Sequence, residues 1–170
     1  MQPQPQPQPQ PQQPPRKQTS PQDENPSLTI RRRIAAPPAM VFASWTDPQK
    51  LAQWWGPHEC QTLDATVDAR VGGTFRIRFK EPGPDGEIHD VSGTYDAVEI
   101  NQKLSFSWQW ITMPERKSHV TLTLAPDDNG KATILVLHHE QFADEAARDG
   151  HNGGWNSALD KLETLFAAAS

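Results

Sequence analysis

The sequence predicts an α+β fold in which an antiparallel sheet curves round one long C-terminal helix. Three observations carry this. Residues 61–140 follow an apolar period of two; one strand and two short helical stretches precede them; and a helical stripe runs from Trp155 to Phe166. Only the last helix is long enough to cover the apolar face of such a sheet.

The elements follow in order. Leu28-Thr-Ile-Arg-Arg-Arg-Ile34 alternates as a strand with Leu28, Ile30 and Ile34 on one side. Alternation also sends Arg31 and Arg33 to one face and Arg32 to the other, so the basic run is not a patch. Pro37 and Pro38 suit a first helical turn, and Val41, Phe42 and Trp45 follow at helical spacing. Asp47 reads as the N-cap of a second helix with Pro48 at its first position. Leu51, Trp54 and Trp55 then stack on one side, and Gly56-Pro57 predicts the end.

Residues 61–69 alternate weakly, Val71-Gly72-Gly73-Thr74 reads as a tight hairpin, and residues 74–80 place Phe75, Ile77 and Phe79 together. Strands are predicted at 88–99, 102–111, 117–125 and 131–140. Their separators are Asn101-Gln102, Met113-Pro114-Glu115 and Asp127-Asp128-Asn129-Gly130. Links this short make the strands sequential antiparallel neighbours. In the final helix Trp155, Leu159, Leu162 and Phe166 form the apolar stripe, with Gly150, Gly153 and Gly154 at its approach.

Two regions differ in composition. Residues 1–26 alternate proline with glutamine and hold too little apolar surface to offset the entropy of ordering, so a disordered tail is expected there and one domain over 27–170. The PQPQPQ run favours extended polyproline-like conformations, suited to a spacer or to a ligand for an aromatic groove. The formal net charge is -5, and the charges of the tail cancel, so the domain carries the whole negative excess. That balance argues against nucleic-acid binding. Cys60 is the only cysteine, no apolar run spans a bilayer, and the N-terminus lacks a signal-peptide pattern. A cytoplasmic protein without membrane attachment is the expectation.

Phe75, Ile77 and Phe79 share one strand face, and Leu104, Phe106, Trp108 and Trp110 another. One helical stripe cannot cover all these rings across a wide sheet, so some should line a space between sheet and helix. The expected wall comprises Trp54, Trp55, Phe75, Ile77, Phe106, Trp108, Trp110, Trp155 and Leu159, with Tyr95 adding a hydroxyl. Trp54 and Trp55 point about 100° apart on a helix, so one is expected in the core and the other at the pocket.

The segments AAPPAMVFASWTDPQKLAQWWGP, RVGGTFRIRF, LSFSWQW and GHNGGWNSALDKLETLF occur in that order. Together they resemble the bacterial homologues of the activator of the heat-shock protein 90 ATPase, within the START-like (SRPBCC) superfamily. The resemblance covers nearly all of 28–166. It implies a helix-grip (START-like, Bet v1-like) fold with about seven strands and an internal cavity for apolar molecules.

The chemical residues are sparse. Consecutive residues of a strand alternate, so His138 and Glu140 point one way and His139 the other. His139 should look inward with Leu135 and Leu137, at a position where the resemblance implies a histidine. It suits a polar contact to a ligand, a proton shuttle or a hydrogen-bonded wall residue. His151, in GHNGGW, is a further position of the resemblance and suits a helix cap or a gate. A metal on His138 and Glu140 lacks a third ligand by spacing, no cofactor motif occurs, and Cys60 has no adjacent base. Neither a metal nor a cofactor is therefore expected. Three functions fit: a binding module for a small, mostly apolar molecule; a polyketide cyclase-like enzyme using His139 or Tyr95; and a partner of a chaperone ATPase.

Overall fold

β-Branched and aromatic residues at every second position bury one face of each strand, and that alternation builds the sheet. The computed structural model of the protein describes residues 25–168. Its strands are Leu28–Ile34 (β1), Gln61–Val67 (β2), Thr74–Lys80 (β3), Ile88–Glu99 (β4), Lys103–Trp110 (β5), Met113–Asp127 (β6) and Ala132–Glu140 (β7). They form one 7-stranded sheet in the order β1-β7-β6-β5-β4-β3-β2, antiparallel throughout. Strands β2 to β7 are sequential neighbours, and β1 crosses over to pair with β7, Leu28 opposite His139. With helices Pro38–Thr46 (α1), Pro48–Leu51 (α2) and Glu145–Ala168 (α3), this is a curled sheet closed by its C-terminal helix, an α+β helix-grip fold. No helix among the described residues is long and apolar enough to cross a membrane. Of the tail expected over 1–26, residues 1–24 lie outside the described part.

Three boundaries differ from the sequence reading. The second helix ends at Leu51 rather than at Gly56. Asp47 caps it, its carboxylate accepting from the Gln49 N–H at 2.9 Å. Beyond it the chain tightens, Gln53 N–H donating to Lys50 O and Trp54 N–H to Leu51 O. Met113, Pro114 and Glu115 lie within β6 rather than before it, Met113 pairing with Trp110. Pro114 has no N–H to give, and it falls where the β5–β6 register is irregular and before β6 begins to pair with β7 at His119. The last helix starts at Glu145, well before its apolar stripe. Asp144 initiates it by accepting from the Ala147 N–H at 2.8 Å, and Gly150, Gly153 and Gly154 are carried inside.

The C-terminal half of α3 is the gripped part. Ala158, Leu159 and Leu162 are buried against the sheet with Leu135, Leu137 and Leu122. Arg32, the one residue of its basic run on the inner face, clamps this half. Its guanidinium donates to Asp160 Oδ1 at 2.7 Å and Asn156 Oδ1 at 2.8 Å. Arg76 and Arg78 lie on the outer face instead, paired with Asp90 and Asp64. Leu162 is fully buried, so Leu162→Ala is expected to cost about 2–5 kcal/mol; a loss below about 1 kcal/mol in urea denaturation would contradict this packing.

Candidate functional site

Side-chain size changes along α3, and a cavity opens where it falls. Ahead of Leu159 the helix turns Ala147, Gly150, Gly154 and Ala158 toward the sheet at helical spacing. A Cβ on Gly150 would meet nothing within 4 Å, and one on Gly154 would meet only Pro57, at 3.8 Å. The space left beneath them is a cavity of about 400 Å³. Facing them are the aromatic rings of Trp55, Phe79, Trp108, Trp110 and Phe142, and Trp155 of α3 itself completes the lining.

Trp55 reaches this wall because the loop carrying it is pinned. Gly56 has φ 80°, and a Cβ there would come within 3.1 Å of the Phe79 ring, so glycine is required on both counts. Lys161 Nζ donates to the carbonyls of Trp55 and Pro57, both at 3.1 Å, tying the loop to α3. Burial lowers the pKa of this lysine from its ordinary value. Trp55 then stacks on Trp108, with centroids 5.7 Å apart, and meets Trp155 edge-on at 5.6 Å.

Two indole–imidazole hydrogen bonds hold the wall. Trp110 Nε1 donates to His151 Nε2 at 3.1 Å, and His151 Nδ1 lies 2.7 Å from the Ala147 carbonyl. An indole nitrogen only donates, so Nε2 carries the lone pair and Nδ1–H donates to Ala147. Trp155 Nε1 likewise donates to His139 Nδ1 at 3.0 Å, and His139 Nε2 lies 2.7 Å from Ser118 Oγ. Burial is the main cause that depresses both imidazole pKa values, His139 far below the ordinary range, with a smaller push from His151. Both rings are therefore neutral near pH 7. The remaining polar groups of the wall are Glu81, His89 and Arg116, besides Ser118. Glu81 accepts from or faces His89 Nε2 at 3.2 Å, and Arg116 donates to Asp144 at 3.3 Å.

Among the described residues, one group of side chains has the donor set for a metal. Glu81, Glu87 and His89, across the β3–β4 hairpin, each bring a ligand atom within 4.8 Å of the others. His138 and Glu140 face outward and pair with each other at 2.7 Å.

The family model for Activator of Hsp90 ATPase homolog 1-like protein matches residues 35–167. The chain belongs to this family. Among solved structures, the AHSA1 protein from Silicibacter pomeroyi is 28% identical with a TM-score of 0.73, over 85% of this chain and 100% of its own. A protein from Chromobacterium violaceum is 26% identical with a TM-score of 0.71, covering 83% and 97% respectively. The AHSA1-like protein from Aeromonas hydrophila shares the fold at 23% identity, TM-score 0.68, covering 84% and 93%. No curated protein matches the chain significantly.

Within this family member the residues expected to form one wall divide into two groups. Trp55, Trp108, Trp110 and Trp155 line the cavity. Trp54 does not: it is fully buried between the helices, its Nε1 donating to Ser44 O at 3.0 Å. Phe75, Ile77, Tyr95 and Phe106 belong to the other end of the sheet, where Trp45 and Leu51 from α1 and α2 fill the space and leave only about 10 Å³. There the Phe75 and Phe106 rings pack edge-on at 5.1 Å. Burial pushes the Tyr95 hydroxyl well above its ordinary pKa, with the charge of Asp68 adding to it. His139 and Leu159 are fully buried and lie behind the wall rather than on it. Phe142, Met113, Pro57 and the small face of α3 were not expected at a site. Their signal is the spacing of Ala147, Gly150, Gly154 and Ala158, legible only once α3 is known to begin at Glu145.

The buried imidazoles set a pH dependence. A histidine whose folded pKa lies below its unfolded value binds more protons when unfolded, so its contribution is full above about pH 6.5 and is lost as pH falls below it. Unfolding free energy should fall between pH 6.5 and 5, by up to about 1.4 kcal/mol per pH unit for each histidine. Urea denaturation at stepped pH checks this; a flat profile over that window would contradict two buried neutral rings.

Proposed function

We propose that the protein binds a small, mostly apolar molecule in the cavity between the N-terminal half of α3 and the tryptophan-rich end of the sheet. The observation that carries the reading is the bare face of the helix, Ala147, Gly150, Gly154 and Ala158, set opposite Trp55, Trp108 and Trp110, with Trp155 of the helix beside it. A cavity of about 400 Å³ falls in the range of roughly 300–1,000 Å³ typical of small-molecule sites. Apolar walls of this kind reward an apolar guest, since few of their atoms find partners otherwise.

Binding without chemistry is the better supported reading of this cavity. A cyclase-type reaction needs a group that exchanges a proton with the guest. His139 and Tyr95 lie off the cavity wall, both ring nitrogens of His151 are engaged, one by Trp110 and one by Ala147, and the wall's Glu81 and His89 pair with each other at 3.2 Å. The family description names activation of a chaperone ATPase, a reading that no feature of this cavity specifically favours.

The test fills the cavity. Gly150→Leu projects a side chain into it, and leucine is favoured over glycine in a helix by up to about 1 kcal/mol, so the variant should fold. Four tryptophans line the space, so guest uptake should quench or shift their fluorescence. In a screen of apolar aromatic compounds, binding to the native chain and at least about tenfold weaker binding to Gly150→Leu is the expected outcome, a difference of about 1.4 kcal/mol. Equal affinity in both, or no uptake by the native chain, would remove the reading.

A further inference from the structure

Ser118 stands in the cavity wall on β6, on the inner face with Val120 and Leu122, and is 5% exposed. Its Oγ lies 2.7 Å from His139 Nε2, the spacing of a serine nucleophile and its base. The third member of the chain reverses that assignment. Trp155 Nε1 approaches His139 Nδ1 at 3.0 Å, and because an indole nitrogen can only donate, Nδ1 must hold the lone pair. In a neutral imidazole the proton then sits on Nε2. His139 therefore donates to Ser118 and has no lone pair left with which to take its proton. Ser118 accepts through oxygen, and its own hydrogen is left without an acceptor, since its side chain makes no other hydrogen bond among the described residues.

We propose that the Ser118 hydroxyl, oriented by the Trp155–His139 pair, is the donor that reads a carbonyl oxygen on an otherwise apolar guest. This rests on the cavity being a binding site and adds what it selects. Of the other donors of the wall, the Arg116 guanidinium is solvent-exposed and gives one N–H to Asp144 at 3.3 Å, and the Trp108 N–H is buried behind the surface of the wall. A buried donor facing an apolar space is satisfied by a guest acceptor and by little else. The arrangement also explains why a serine–histidine pair at this distance supports recognition rather than acyl transfer.

The experiment uses two probes of one shape, 2-acetylnaphthalene and 2-isopropenylnaphthalene, in which a methylene replaces the carbonyl oxygen. Equilibrium dialysis against the full chain yields the ratio of their affinities, and the change of that ratio is the readout, so that the greater hydrophobicity of the alkene cancels. Ser118→Ala is expected to lower the ketone-to-alkene ratio by about threefold to tenfold. Trp155→Phe, which keeps Ser118 but removes the indole N–H that sets the His139 tautomer, is expected to lower it as well, and carries the test alone should Ser118→Ala not fold. An unchanged ratio in a folded variant that still takes up both probes would overturn the role of Ser118 and leave the cavity reading standing. Failure of the native chain to bind either probe would overturn both.

Discussion

The dependence of the whole interior on one helix starts from side-chain volume. A curved sheet presents a concave face, and α3 crosses it with leucines at one end and with alanines and glycines at the other. Where Leu159 and Leu162 face the sheet, both side chains are fully buried. Where Gly150 and Gly154 face it, they add no side chain to fill the gap, and the strands cannot move inward without breaking their ladders. The void is thus a consequence of composition along one helical face.

Keeping such a void open requires that its aromatic wall not fall into it. The indoles are held from behind. Trp155 is tied to His139 and Trp110 to His151, while Lys161 anchors the loop that carries Trp55. Each imidazole is used as an acceptor toward the indole and a donor on its other side, which demands the neutral ring. Burial supplies that neutrality. Not every indole is so treated: the Nε1 atoms of Trp45 and Trp108 are buried with no hydrogen-bond partner among the described residues. An unsatisfied donor costs about 1–3 kcal/mol, offset at Trp108 by ring packing against Trp55, Trp110 and Trp155.

Much of the fold was legible because it rests on local rules. The alternation in β3 and β5, the Asp47 cap and the stripe from Trp155 onward are each statements about a few neighbouring residues. The boundaries that went astray depend on partners distant in sequence. Pro114 reads as a break, yet it lies within β6 at a place that neither neighbouring strand needs to pair. The glycines before Trp155 read as the approach to the stripe, yet the Asp144 cap starts the helix ahead of them and they lie inside it.

The same distinction separates what the chain determined by itself from what only its folding decided. Which faces are apolar, that an aromatic sheet closes on a C-terminal helix, and the family all follow from residue order, since period and motif are properties of neighbouring positions. Which end of that aromatic face stays open does not. Phe75 and Trp108 look alike along their strands, but α1 and α2 return over the first with Trp45 and Leu51, while the second faces the part of α3 whose lining face is mostly alanine and glycine. That difference is one of volume between elements far apart in sequence, and it exists only once they are packed.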